Sequence, residues 1–167
     1  MTDNQASSSV ATDLERRAFV IERIFDAPRE LVFKAYSDPE YLKQWFGPKG
    51  WTLPVCKVDF RPGGIWHYCM KGPEGEESWG KAVYQEIVEP ERIVYADAFS
   101  DVEGNVLEDM PELMVTVTFT DHNGQTKLTS RTLFASAADL QTTLEMGMVE
   151  GINETFDRLA AYLEGLR

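Results

Sequence analysis

Few side chains in this sequence could carry out acid–base or nucleophilic chemistry, and they are scattered along the chain. The only histidines are His67 and His122, and the only cysteines are Cys56 and Cys69. The sequence has no Cys-x-x-Cys pair, no Gly-x-Ser-x-Gly elbow and no phosphate-binding glycine loop. We therefore expect no metal site and no cofactor, and these residues alone leave open whether the protein is an enzyme.

Asp97 and Arg131 are the polar candidates for contact with a ligand, because each falls within a predicted strand. An inward-facing Arg131 would orient a ligand carboxylate, and together with Asp97 it could serve a cyclase or hydrolase. An Arg131 on the outer face of the sheet explains the same residue equally well. His67 lies between Trp66 and Tyr68, so we expect it to point away from the core.

Aromatic residues are numerous for a single small domain and favour an apolar pocket. The set comprises Trp45, Phe46, Trp51, Trp66, Tyr68, Trp79, Tyr84, Tyr95 and Phe99. Met110, Met114, Met146 and Met148 are typical of sites that adapt to variable ligands. The alternative for any one of these residues is ordinary core packing.

Composition excludes several classes of partner. The 167 residues include 28 acidic and 16 basic side chains, which gives a formal net charge of -12. Such a field repels nucleic acids and anionic membrane surfaces. Without a signal sequence, two cysteines favour reduced thiols in the cytoplasm. We expect a flexible polar tail over residues 1–16 and one domain over 17–167, present as a monomer or homodimer.

The pattern of elements predicts an α+β fold. Strands are predicted over 17–26, 51–60, 65–71, 79–88, 92–99, 113–120 and 126–134, with two short helices over 28–37 and 38–46. Ser136 can cap a final amphipathic helix of about 27 residues, roughly 40 Å long. The tight turns favour an antiparallel meander in the order β-α-α-β6-α, curved around the long C-terminal helix.

Four segments resemble one superfamily in their order and spacing: 27–33, 38–48, 59–66 and 86–94. Over residues 17–165 the chain resembles the START-like, birch-pollen-allergen-like helix-grip superfamily (SRPBCC). It is most similar to the branch related to the C-terminal domain of the heat-shock-protein-90 ATPase activator. That branch commonly has Gly-Trp in the last helix, where this chain has Gly151-Ile152.

The resemblance implies the fold strongly and leaves three functions open. The first is binding of a small apolar or aromatic ligand between the sheet and the C-terminal helix. The alternatives are a polyketide cyclase or hydrolase, and a co-chaperone-like interaction module linked to stress response, although no domain before residue 17 could match the activator's N-terminal half. The expected ligand-binding residues are Trp45, Phe46, Trp66, Tyr68, Phe99, Arg131, Met148 and Ile152.

Two finer expectations concern the loops. If the turn at 61–64 is centred between Pro62 and Gly63, Cys56 and Cys69 become cross-strand neighbours, whereas a bulge at Gly63-Gly64 would separate them. The acidic stretch from Ser100 to Glu112 is long enough to form a mobile lid over the mouth of the pocket.

Overall fold

The structure, a computed structural model, describes residues 8–110 and 112–166. The strands are β1 (Ser9–Asp13), β2 (Ala18–Phe25), β3 (Thr52–Val58), β4 (Ile65–Lys71), β5 (Glu77–Val88), β6 (Arg92–Phe99), β7 (Glu112–His122) and β8 (Gln125–Leu133). The helices are α1 (Arg29–Ser37), α2 (Pro39–Trp45), α3 (Ala137–Glu145) and α4 (Met148–Gly165). None of the helices in the described ranges has the length and hydropathy needed to cross a bilayer.

The eight strands form one antiparallel sheet in the order β1-β2-β8-β7-β6-β5-β4-β3. Alternation along each strand gives the sheet an inner face and an outer face. On β6, for example, Ile93, Tyr95, Asp97 and Phe99 share the inner face, because Tyr95 pairs with inner-face Tyr84 and Val115. The predicted α+β helix-grip architecture is confirmed.

The first strand differs from the sequence prediction of a tail over residues 1–16. Ser9–Asp13 pairs antiparallel with β2, from Ser9 opposite Glu22 to Asp13 opposite Ala18. This strand is polar and mostly exposed, so it lacks the apolar alternation that marks a strand in sequence. It forms because it satisfies the free backbone groups along the edge of β2. The remainder of the tail, residues 1–7, lies outside the described residues.

The C-terminal helix is two helices, not the single helix of about 27 residues that the periodicity predicts. Gly147 separates α3 from α4 and has φ of 92°, a left-handed conformation that glycine adopts without strain. The predicted cap is confirmed, since the Ser136 hydroxyl accepts from the Asp139 amide at 3.0 Å. The apolar spacing continues across the break, which is why periodicity alone did not reveal it.

The β3–β4 hairpin places the two cysteines on opposite faces. Cys56 pairs with Tyr68, and Cys69 pairs with Val55, so the register is shifted by one from the one that would pair the cysteines. A five-residue loop sets this register, because the Asp59 amide donates to the Ile65 carbonyl. Both cysteines are free thiols, as expected, but they are not cross-strand neighbours.

Two arginines fasten α4 to the rest of the fold. Arg158 Nη1 donates to the carbonyls of Gly47, Pro48 and Trp51 at 2.8, 3.1 and 3.0 Å, which anchors the loop between α2 and β3. On the other side, the buried Arg23 of β2 pairs with Asp157 at 2.8 Å. These contacts fix which face of α4 lies over the sheet.

Candidate functional site

Burial along the inner face changes from one end of the sheet to the other. On β6 the exposed fraction rises from 1% at Ile93 and 7% at Tyr95 to 40% at Phe99, with Asp97 half-buried between the last two. On β7, Phe119 and Val117 are fully buried whereas Leu113 is only partly buried. We call the end with Phe99 and Leu113 the open end of the sheet.

The C-terminal helix follows the same gradient. Leu163, Leu159 and Phe156 of α4 are buried in the core, whereas Ile152 and Met148, nearer its first turn, are only partly buried. The loop after α2 meets α4 here, because a Cβ on Gly151 would lie 3.9 Å from Pro48 Cγ. Inward-facing side chains that keep accessible surface are typical of a ligand cavity.

Three predicted residues form an aromatic cluster at this site. The Phe46 ring lies 4.9 Å from Trp66 and 5.6 Å from Tyr68, nearly perpendicular to both, and the Trp66 and Tyr68 rings are 4.6 Å apart. The α2 C-terminus positions Phe46, while alternation along β4 turns Trp66 and Tyr68 inward. The Tyr95 ring extends this wall, 6.0 Å from Trp66.

The Tyr68 side chain extends over β5 on the inner face of the sheet to reach Asp97. Its hydroxyl donates to Asp97 Oδ1 at 2.9 Å, although β4 and β6 are separated by β5. Gly80 of β5 makes this crossing possible, because a Cβ there would overlap the hydroxyl end of the Tyr68 ring. A glycine within a strand is the sequence sign of such a close approach, although it does not indicate which residues approach it.

Asp97 is an inward-facing carboxylate that contacts this aromatic cluster through Tyr68. Burial raises the pKa of Asp97 to about 7, against the hydrogen bonds from Tyr68 and from the Ala98 amide, which lower it. In the described part of the chain no lysine, arginine or histidine forms an ion pair with it. Burial and the neighbouring Asp97 raise the pKa of both Tyr68 and Tyr95. The Asp97 carboxyl group can therefore hold or release a proton near neutral pH.

Gly80→Ala is expected to destabilise the protein by about 1–3 kcal/mol, because the new methyl displaces the Tyr68 ring and overpacks the inner face. Displacement of the Tyr68 ring also breaks the hydrogen bond from its hydroxyl to Asp97. Denaturant unfolding of the variant measures the effect. Gly165→Ala is the control, since nothing lies within 4 Å of a Cβ at that position. An equal loss of unfolding free energy in both variants would contradict the close approach of Tyr68 to Gly80.

Two other predicted residues, Arg131 and Trp45, lie away from this site, whereas Phe99 lies on the inner face at the open end of the sheet. Arg131 is exposed on the outer face, because it pairs with outward-facing Val20 and Thr116, so it does not line the space between the sheet and α4 in which the ligand was predicted to bind. A pair between Arg131 and Asp97 is excluded for the same reason. Trp45 lies deep in the core, with Nε1 bonded to the Ala35 carbonyl at 3.0 Å. Phe99 lies at the exposed end of β6.

The acidic loop does not form the free lid that its length suggests. The Asp101 carboxylate accepts hydrogen bonds from the amides of Glu103 and Asn105, which closes a compact turn. This turn packs on the outer face, where His67 Nε2 lies 3.2 Å from the Asp101 carbonyl oxygen. The prediction that His67 faces outward is confirmed, and its ring lies against Trp79.

The inner face also holds polar groups without partners. Within the described residues, Trp66 Nε1 and Tyr84 Oη are buried and lack a hydrogen-bond partner. Burial raises the pKa of the Cys56 thiol to about 11, and the neighbouring Trp66 side chain opposes this increase. Among the same residues, no group of three or more His, Cys, Asp or Glu side chains could hold a metal ion.

Solved structures share this architecture. A protein of Mycobacterium smegmatis is 33% identical, with a TM-score of 0.85 over 93% of this chain and 95% of that one. A protein of Arthrobacter aurescens is 30% identical, with a TM-score of 0.88 over 94% and 91%. A Staphylococcus epidermidis protein is 28% identical, with a TM-score of 0.81 over 95% of both chains. A search of curated proteins finds no significant match.

A family model also matches residues 26–164, which span α1 to the end of α4 and include every element of the site. Its description is Activator of Hsp90 ATPase homolog 1-like protein. The matched segment contains all four sequence segments that carry the resemblance. The chain therefore belongs to this family of Hsp90 ATPase activator-like proteins, a branch of the helix-grip superfamily.

Proposed function

We propose that this protein binds a small hydrophobic or aromatic molecule between the open end of the sheet and the first turns of α4. The observation that carries the proposal is the gradient of burial along the inner face. Packed side chains that closed this end of the sheet as they close the other would leave little accessible apolar surface on its inner face. Here Leu113, Met148 and Ile152 face the core and keep accessible surface.

The side chains at this end suit a flat ligand. Phe46, Trp66 and Tyr68 offer ring faces and edges, against which an aromatic molecule packs favourably. Met70 and Met148 are flexible and adjust to ligands of different shape. Such a wall with a few polar groups is the usual composition of a small-molecule pocket.

Ile152→Trp tests this proposal, because it puts the branch's usual side chain into the space. We expect the larger ring to fill the cavity and to weaken binding of the neutral fluorescent probe N-phenyl-1-naphthylamine by about tenfold. Stability should stay equal or rise, since filling a void restores lost contacts. Probe titration and thermal unfolding of the same samples measure both effects.

The matched control is Ile24→Trp, the same substitution at an exposed position on the outer face of β2. It should leave probe affinity unchanged. A solid core at position 152 would instead give a loss of about 1–3 kcal/mol through overpacking. That loss, together with no probe binding by the parent protein, would contradict the proposed function.

A second candidate is a co-chaperone-like role in stress response, which the description of the matching family favours. Stimulation of the ATPase rate of a purified Hsp90 by this protein tests it directly. An unchanged rate at saturating protein would eliminate this candidate and leave ligand binding in place. The proposed setting is the cytoplasm, with the two thiols reduced, and with the protein a monomer or homodimer that binds neither nucleic acid nor membrane.

A further inference from the structure

Asp97 and Tyr68 form a built polar site within an otherwise aromatic region. The carboxylate is held from one side by the Tyr68 hydroxyl at 2.9 Å. The Tyr68 ring is in turn fixed by Gly80 beneath it and by the Phe46 and Trp66 rings beside it. A polar group positioned this firmly beside the proposed ligand site would fix the orientation of a ligand.

Among residues 8–110 and 112–166, no positively charged side chain forms an ion pair with the Asp97 carboxylate. A charge removed from water is costly unless an opposite charge or several hydrogen bonds compensate it. The groups that affect its titration are Tyr68 and the Ala98 amide, and no lysine or arginine contributes. The buried guanidinium of Arg23, on the inner face of β2, is already paired with Asp157 and bonded to Asn153 on α4.

The surroundings favour a cation over an anion. Aromatic ring faces attract ammonium groups. The Tyr68 ring, whose hydroxyl bonds the carboxylate, packs against the Phe46 and Trp66 rings, and Tyr95 lies beside Trp66. The net charge of -12 adds a negative potential over the whole molecule. An anionic ligand would have to place its charge against both the Asp97 carboxylate and this potential.

From these observations we infer that the ligand is an apolar or aromatic amine, whose ammonium group binds Asp97 while its hydrocarbon part lies along the aromatic wall toward Met148 and Ile152. This inference rests on the proposed function and adds the chemical class of the ligand. Tyr68 positions the carboxylate, and the ammonium supplies the missing counter-charge. Binding strengthens as pH rises from 6 to 8, because Asp97 ionises over this range while a primary alkylamine stays protonated.

Two probes of one skeleton test the inference: 1-naphthylmethylamine and 1-naphthylmethanol. Calorimetric titration of the full chain at pH 8 should give an affinity at least about tenfold higher for the amine than for the alcohol. Asp97→Asn should abolish this preference by lowering the amine affinity to that of the alcohol. Asp109→Asn, which removes the same charge from an exposed loop position, should preserve it.

Three results would overturn the inference. If amine and alcohol bind the parent protein equally, or if Asp97→Asn keeps the preference for the amine, the amine assignment fails while ligand binding stands. If neither probe binds, the proposed function fails together with the inference. Tyr68→Phe gives an independent check, since loss of the positioning hydrogen bond should lower amine affinity two- to fivefold, by about 0.4–1 kcal/mol.

Discussion

Removal of residues 136–167 is expected to abolish cooperative folding. The loss uncovers the inner face of the sheet, including Phe25, whose ring packs edge-on against Phe156 at 5.7 Å. It also removes Asp157, the partner of the buried Arg23, and Arg158, which holds the loop after α2. Each lost contact of this kind costs several kcal/mol, and the sum exceeds the net stability of about 5–15 kcal/mol of a typical domain.

The measurement is solubility and denaturant unfolding of the fragment 1–135. A chain ending at Gly165 is the control and should unfold like the parent, because Leu166 is exposed. Phe156→Ala removes one buried side chain of α4 and should lower the free energy of unfolding by about 3–5 kcal/mol without abolishing the fold. A soluble fragment 1–135 with a sharp unfolding transition would contradict the role assigned to α4.

Asp97→Asn is expected to stabilise the free protein at pH 8 by about 2–4 kcal/mol and to have little effect at pH 4. Burial raises the pKa of Asp97 from 3.8 to about 7. At 1.36 kcal/mol per pKa unit, ionisation of Asp97 costs the folded protein about 4 kcal/mol, and the partial exposure of the carboxylate reduces this cost. The folded protein thus holds a proton that the unfolded chain has released. This contribution is complete below the unfolded pKa and is lost as pH rises through about 7.

Unfolding of the parent and Asp97→Asn proteins in denaturant, at several values between pH 4 and pH 8, measures this effect. The asparagine keeps an acceptor for the Tyr68 hydroxyl, so the comparison isolates the charge. The groups facing Asp97 are Tyr68 and Tyr95, and burial keeps both neutral over this range. Asp109→Asn should leave the pH dependence unchanged. If the unfolding free energies of the parent and Asp97→Asn proteins changed with pH in the same way, Asp97 would not carry a buried charge.

The sequence predicts the sheet and its order well, because alternation and turn residues are local signals. Ser136 caps α3 as expected, and Asp38 caps α2 through the Glu40 amide. The break at Gly147 escapes prediction, since a single glycine within a periodic pattern is compatible with a continuous helix. The edge strand Ser9–Asp13 escapes because hydrogen bonds to a neighbouring strand, rather than an apolar face, hold it.

The site is predictable in part, for a related reason. Phe46, Trp66 and Tyr68 converge as expected, because large aromatic residues at alternate positions of a strand turn inward together. The face of Arg131 depends on register with β2 and β7, which is set by pairing distant in sequence. The hydrogen bond from Tyr68 to Asp97 depends on the small residue Gly80 between them. These three residues belong to β4, β5 and β6, which only the fold brings together.

The most direct test of ligand binding in the cavity is NMR of protein labelled at the methyl groups of methionine and isoleucine. We expect 1-naphthylmethanol to shift the signals of Met148 and Ile152 and to give them intermolecular contacts with the naphthyl protons. Met114 and Ile24, which lie on the outer face, serve as internal controls and should stay unchanged. Shifts confined to Met114 and Ile24, or no shifts at saturating probe, would contradict a cavity between the sheet and α4.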